Sequence, residues 1–292
     1  MGRRSLALFL LLPLFAYAAQ PCPDKPLNIL LVNDDGFDTA GIVALHRVLE
    51  AKGHNVKRVA PDRNYSGSSA SLTIDVISAP QVPNEEFTEV YAVSGSPATA
   101  VLVGATAIFP PEQPVDLVVS GINEGANLGP ATVISGTVGA TIAAMKTLAR
   151  PIPGIAVSTN PVAEDNSAAE NHLHLLNVAK FTGRLVSRLF CASQPWSEGK
   201  LALNVNYPPL APEAVKGVRI AAQGQAPYYS MAFKAAATDR YAPDFGRADP
   251  SQDIANADTF LFRQGYITIV PIDGDYTAGG QPFPFSLEGL SP

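Results

Sequence analysis

Two periodicities alternate along most of this chain. Short aliphatic and β-branched runs read as strands buried on both faces: NILLV at 28–32, NVKRVA at 55–60, YAV at 91–93, DLVVS at 116–120, GIAVS at 154–158 and LALNV at 201–205. Between them, apolar residues recur at three- and four-residue spacing over 41–52, 97–108, 137–148 and 168–190, the pattern of amphipathic helices. This alternation predicts an α/β fold, a Rossmann-like, mostly parallel sheet flanked by helices. Ligands of such sheets bind where the carboxyl ends of the strands meet their loops.

After Pro208 the pattern fades. Residues 209–263 are rich in Pro, Ala, Gln and Tyr, with weak periodicity, and a late strand, GYITIVPI, follows at 265–272. The expectation is one domain: a core over 27–208 and a C-terminal β-rich arm over 209–292.

The first eighteen residues stand apart. MGRRSLALFLLLPLFAYA has a basic start, an apolar run over 6–15 and a small-x-small ending, the layout of a cleaved signal peptide. The other reading, a membrane anchor, needs a longer apolar run. The expectation is therefore an exported protein, periplasmic or secreted, with no membrane association after cleavage. Losing Arg3 and Arg4 moves the formal charge from −6 to −8. That acidic balance argues against a nucleic-acid polymer as partner, since such binding draws on basic patches. Two cysteines, Cys22 and Cys191, are too few for a disulfide scaffold or a cysteine zinc site. Either they pair or Cys22 is a free thiol in a Pro-rich tail.

The unusual residues cluster in the loops after strands. Asp34-Asp35-Gly36 ends the first, Asp62 to Gly67 the second, and Ser120 to Gly129 follows DLVVS; Ser135-Gly136-Thr137 then opens a helix. All fall at one edge of a parallel sheet. Two carboxylates with hydroxyl and amide oxygens nearby make a hard oxygen site for Mg²⁺ or Mn²⁺, with Ca²⁺ as a further candidate. The plainer alternative is that one aspartate caps a helix or holds a turn. Ser135-Gly136-Thr137 offers free backbone N–H groups and a helix dipole to a phosphate; the alternative there is an ordinary N-cap. A metal beside an oxyanion cradle points to phosphoryl chemistry. No G-x-G-x-x-G follows the first strand and no G-x-S-x-G is present, so dinucleotide binding and a hydrolase triad lack their motifs. His172 and His174 sit two apart on a predicted helix and point to different faces.

With these loops laid out, the chain resembles the SurE family of survival-protein nucleotidases. The resemblance rests on ILLVNDDG (29–36), VAPDRNYSGSSASLT (59–73), GSPATAV (95–101), DLVVSGINEGANLG (116–129), ISGTVGATIAAM (134–145), LNVNYP (203–208) and GYITIVPIDGDYT (265–277). It implies a metal-dependent phosphomonoesterase acting on nucleoside 5′- and 3′-monophosphates. Asp34, Asp35, the Ser66 hydroxyl and Asn123 would hold the cation. Asn127 with Ser135, Gly136 and Thr137 would hold phosphate oxygens. Asp34 or Asp35 would take a proton from the attacking water, or Asp34 would itself attack. The resemblance also implies a swapped C-terminal arm and a homodimer or homotetramer. The family's G-T-P turn reads Gly95-Ser96-Pro97 here. A broad acid phosphatase or exopolyphosphatase, and an exported nucleotide-binding protein without catalysis, are the other functions that this sequence accommodates. Asn64-Tyr65-Ser66 is a glycosylation sequon on an expected metal ligand, which favours a bacterial periplasm over a eukaryotic secretory route.

Overall fold

The computed structural model describes residues 26–165, 168–191, 199–248 and 252–277. The signal-like segment and Cys22 therefore lie outside the described residues. Eight strands form one sheet in the order β3-β2-β1-β4-β5-β6-β10-β7. These are β1 (Asn28–Val32), β2 (Asn55–Pro61), β3 (Val90–Val93), β4 (Leu117–Glu124), β5 (Gly154–Thr159), β6 (Ala202–Tyr207), β7 (Val218–Ile220) and β10 (Ile267–Ile272). The strands β8 (Tyr229–Ala237) and β9 (Arg240–Arg247) pair separately as an antiparallel hairpin. Every pairing in the large sheet is parallel except that of β10 with β6. β1 lies between β2 and β4, and Ile29, Leu30, Leu31 and Val32 are fully buried. A strand covered on both faces needs no polar alternation, which is why its sequence is a plain apolar run.

The helices are α1 (Ala40–Ala51), α2 (Pro97–Val103), α3 (Gly136–Lys146), α4 (Ala169–Cys191) and α5 (Asp258–Arg263). α1 buries Ile42, Leu45 and Leu49, one face of a helix. α2 starts at Ser96, whose Oγ accepts the N–H of Thr99 at 3.2 Å, so serine does the capping in the altered turn. The sequence pattern ran one helix from 97 to 108. The structure divides it: after Val103 the chain continues as a π-helical turn over Gly104–Ile108. At that junction a Cβ on Gly104 would stand 2.5 Å from Leu30 Cδ1, so the helix lies close on β1 only because this residue is glycine.

α4 packs on α1. Lys52 Nζ donates to Ser187 Oγ at 3.3 Å, and a Cβ on Gly183 would lie 3.0 Å from Val48 Cγ1. The two helices thus cover the same face of the sheet. Yet β1 to β2 steps toward one sheet edge and β5 to β6 toward the other. Crossovers on one face that step in opposite directions have opposite hands, so one of these two breaks the strong right-handed rule for βαβ units.

β4 runs further than its sequence suggests. DLVVS reads as a strand ended by Gly121, but pairing with β5 resumes at Asn123 with Ser158 and Glu124 with Thr159, past an irregularity between Ser120 and Asn123. Gly121 has φ +133°, and a Cβ there would meet Val157 O at 2.3 Å. Glycine inside a strand marks a bulge, and this one carries Asn123 to the carboxyl edge. Beyond Pro208, β10 and β7 extend the main sheet, and the helix α5 stands in a region whose composition predicted only β structure.

Candidate functional site

The carboxyl ends of β1, β2 and β4 meet the start of α3. Asp34 follows β1 and is buried; its Oδ1 accepts the Thr137 hydroxyl at 2.5 Å. Gly136 lies against it so closely that a Cβ would stand 2.8 Å from both Asp34 Cβ and Asp34 Oδ2. Burial pushes the Asp34 carboxyl above its ordinary range, opposed by the Thr137 hydroxyl and by the backbone N–H groups of Thr137 and Gly136. Asp35 is half-buried, and its Oδ2 accepts the Glu124 N–H at 3.1 Å. Burial first, then the neighbouring Asp34 charge, pushes it up to about 7. Both carboxylates are therefore uncomfortable when charged.

The backbone around them is firmly held. Asn33 Oδ1 accepts the Gly36 N–H at 3.1 Å, and Asn33 Nδ2 donates to Thr39 Oγ1 at 3.0 Å. The Tyr65 N–H donates to Asp34 O at 2.7 Å and so draws the loop after β2 onto the loop after β1. That loop places Ser66 at the surface, where its N–H donates to Asn64 Oδ1 at 2.8 Å. Asn123 Nδ2 donates to Gly125 O at 2.6 Å, which leaves its amide oxygen as the free end. Asp34, Asp35, Asn123 and the loop bearing Ser66 thus converge on one region.

The expected phosphate cradle is differently employed. The Ser135 hydroxyl caps α3, accepting the Val138 N–H at 3.1 Å. The Thr137 hydroxyl is committed to Asp34. Asn127 Nδ2 donates to Ser158 Oγ at 2.9 Å, while its backbone is pinned by Asn204 and Asn206 of β6: the Asn127 N–H donates to Asn206 Oδ1 at 2.8 Å, and Asn204 Nδ2 donates to Asn127 O at 2.8 Å. What these residues leave for an anion is the helix start itself, with Gly136 at its centre.

Sequence reasoning missed Asp258. It is fully buried on α5, and it accepts N–H groups from Gly129 at 3.1 Å, Gly224 at 2.9 Å and Thr259 at 2.7 Å. It ties the loop carrying Asn127 to the region beyond β6. Asn204 and Asn206 were also missed as supports; two asparagines at alternate positions of an apolar strand were the available signal.

The donors at the site are all oxygen, and the carboxylates resist charging, so the set fits a hard divalent cation. Among the described residues no three His, Cys, Asp or Glu side chains group as a metal cage, so any cation here relies on hydroxyl, amide and water oxygens beside the aspartates. No helix of the described residues is long and apolar enough to cross a membrane.

Comparison with known proteins finds matches over most of the chain. A family model described as survival protein SurE matches residues 29–230. The 5′-nucleotidase SurE of Actinobacillus pleuropneumoniae serotype 5b is 35% identical over 258 residues, covering 86% of this chain and 96% of that protein. The 5′/3′-nucleotidase SurE of Yersinia enterocolitica is 35% identical over 259 residues, covering 87% and 94%. The crystal structure of the SurE protein from Aquifex aeolicus superposes with a TM-score of 0.68 at 30% identity, covering 86% and 95%.

Proposed function

The chain belongs to the SurE family, and from that premise we propose that it is a phosphatase that uses a divalent cation to hydrolyse nucleoside 5′- and 3′-monophosphates. The observation that carries the reading is the Asp34–Asp35 pair, adjacent carboxylates with raised pKa at the foot of a helix N-terminus. Asp34, Asp35, the Ser66 hydroxyl and the Asn123 amide oxygen would hold Mg²⁺ or Mn²⁺. The cation supplies charge neutralisation and polarisation of the phosphoryl group. The start of α3 receives phosphate oxygens through backbone N–H groups. Asp35, the less buried of the two carboxylates, suits a group that takes the proton of the attacking water. Thr137 fixes Asp34 in orientation and Asn33 fixes the turn beneath it, so little rearrangement separates the free and working forms.

The β8–β9 hairpin supports a homodimer or homotetramer. Its pairing sets Met231, Phe233 and Ala235 on one face with Phe245, Pro243 and Tyr241 across from them. Met231 is 54% exposed, Phe233 65%, Tyr241 69% and Phe245 66%. A continuous apolar face of this kind marks an association surface. Export, to the periplasm by preference, is supported by the basic start, apolar run and small-x-small ending of residues 1–18.

The deciding experiment measures phosphate release from a panel of 5′- and 3′-mononucleotides, polyphosphate and an aryl phosphate, with Mn²⁺, with Mg²⁺ and with a chelator. The expected result is cation-dependent release that prefers mononucleotides. A preference for polyphosphate or the aryl ester would replace the nucleotidase reading with a broader phosphatase. Absence of release from every substrate would leave a binding protein.

A further inference from the structure

The cradle at the start of α3 has one hydroxyl left over. Ser135 Oγ is used as the N-cap, Thr137 Oγ1 serves Asp34, and the Asn127 amide serves Ser158. Ser68 Oγ is different: it is shut off from solvent and finds no hydrogen-bond partner among the described residues. It also stands at the cradle. A Cβ built on Gly136 would meet Ser68 Oγ at 2.8 Å and Asp34 Oδ2 at 2.8 Å, so hydroxyl, carboxylate and helix start converge on one point.

A hydroxyl buried without a partner is destabilising, and this one borders the place where a helix N-terminus favours negative charge. The backbone of its loop is held: the Ser68 N–H donates to Tyr65 O at 3.1 Å, and Ser71 N–H donates to Ser68 O at 3.1 Å. The side chain is therefore presented from a fixed turn. We propose that Ser68 is a substrate-binding residue whose hydroxyl donates to a phosphoryl oxygen of the bound monoester beside Gly136. This rests on the phosphatase reading and adds to it the side-chain donor that the other cradle residues, already committed, do not supply.

The test compares wild type with Ser68→Ala and Ser68→Thr, the latter keeping the hydroxyl. Binding of inorganic phosphate is titrated calorimetrically in the presence of Mn²⁺, and kcat and KM are measured on a nucleoside monophosphate across a range of Mn²⁺ concentrations. Removing a hydrogen bond to a charged acceptor predicts about tenfold weaker phosphate binding for Ser68→Ala and a comparable rise in KM. The half-saturating Mn²⁺ concentration stays unchanged, and Ser68→Thr stays within about threefold of wild type. A folded Ser68→Ala protein with unaltered phosphate affinity and KM would overturn the proposal. So would a shifted Mn²⁺ dependence with unaltered phosphate affinity, which would put the hydroxyl on the cation. A wild-type protein that binds phosphate but hydrolyses no ester would sink the phosphatase reading, and the phosphate titration would still decide the role of Ser68.

Discussion

Gly139 offers a severe test of how the site is held together. It lies in the second turn of α3, with ordinary helical backbone, so alanine there gains up to about 1 kcal/mol of helix propensity. The space is already taken. A Cβ on Gly139 would fall 2.1 Å from Ser69 O, 2.2 Å from Ser69 C and 2.6 Å from Ala70 N, whereas ordinary contact begins near 3.4 Å. Backbone must therefore give way by roughly 1 Å, since no flexible side-chain end is involved. The loop is pinned from the other side, because Ser69 N–H donates to Ile134 O at 3.1 Å and Ser69 Oγ to Val133 O at 2.8 Å. Overpacking of this kind costs about 1–3 kcal/mol, and strain on the two hydrogen bonds adds up to about 1 kcal/mol each. The sum exceeds the propensity gain, so Gly139→Ala should lose about 1–3 kcal/mol, or roughly 2–8 °C in melting temperature at this chain length.

The larger effect should be on activity. The displaced loop also carries Ser66 and Ser68, and a misplacement of about 1 Å is enough to cost on the order of 10²-fold. Circular-dichroism melts and kcat/KM on a mononucleotide with saturating Mn²⁺ read the two effects separately. A variant that melts at or above the wild-type temperature and keeps kcat/KM within about threefold would refute the claim that loop 66–70 is wedged against α3 and that its position matters.

Three further outcomes are expected. Asp34→Asn should lower kcat by about 10²–10³ without lowering the melting temperature, because the substituted carboxyl is buried and disfavours charge; full activity in that variant would remove Asp34 from the chemistry. Asp35 titrates near 7 in the cation-free protein against an ordinary 3.8, so its contribution to stability is present below about 3.8 and is lost as pH rises through 7. A chelator should then depress the melting temperature more at pH 8 than at pH 5.5, and half-saturating Mn²⁺ should rise about tenfold per pH unit as protons compete below 7; a flat profile on both counts contradicts this. Asp258→Ala orphans three buried N–H groups and should cost about 3–5 kcal/mol in urea unfolding, with faster amide exchange at Gly129; a loss under about 1 kcal/mol would mean that the carboxylate is not the tie.

Much of this architecture is legible from one periodicity or another. The strands at 28–32 and 154–158 and the helix at 41–52 appear within a residue or so of their sequence bounds, because each is a long run with a single pattern. The misreadings share a physical cause. β4 was cut short because glycine ordinarily ends a strand, and only its partner β5 shows that Gly121 permits a bulge. α5 is six residues long, too short for any helical period to emerge. Asp258, Asn204 and Asn206 act across 34 to 129 residues of sequence, and no local pattern signals a hydrogen bond at that range. Thr137 was expected to hold phosphate, and its hydroxyl also has a partner within the protein, Asp34. Its alternative partner lay 103 residues away and out of view of any sequence window. The aspartates themselves were legible for the opposite reason: charge at the end of a buried strand is locally anomalous.

That anomaly explains why the surroundings are so over-determined. Holding Asp35 ionised against a pKa of about 7 rather than 3.8 costs the cation-free protein about 4 kcal/mol at high pH. A flexible loop would relieve that cost by turning a carboxylate into solvent. Here the turn cannot rotate: Asn33 bonds Gly36 and Thr39, Tyr65 holds Asp34 O, and Thr137 holds Asp34 Oδ1. The start of α1 also lies directly on β4, for a Cβ on Gly41 would fall 2.3 Å from Ile122 O. Close packing of backbone on backbone thus keeps two repelling carboxylates together, and strain of this kind persists only where its surroundings enforce it. Association with a divalent cation is the change that converts the cost into affinity, since each carboxylate that resists charge alone gains most from a cation beside it. The same rigidity sets the limit on substitution: a variant that loosens the turn should stabilise the cation-free protein and weaken cation binding together, which couples the two quantities at a single place in the fold.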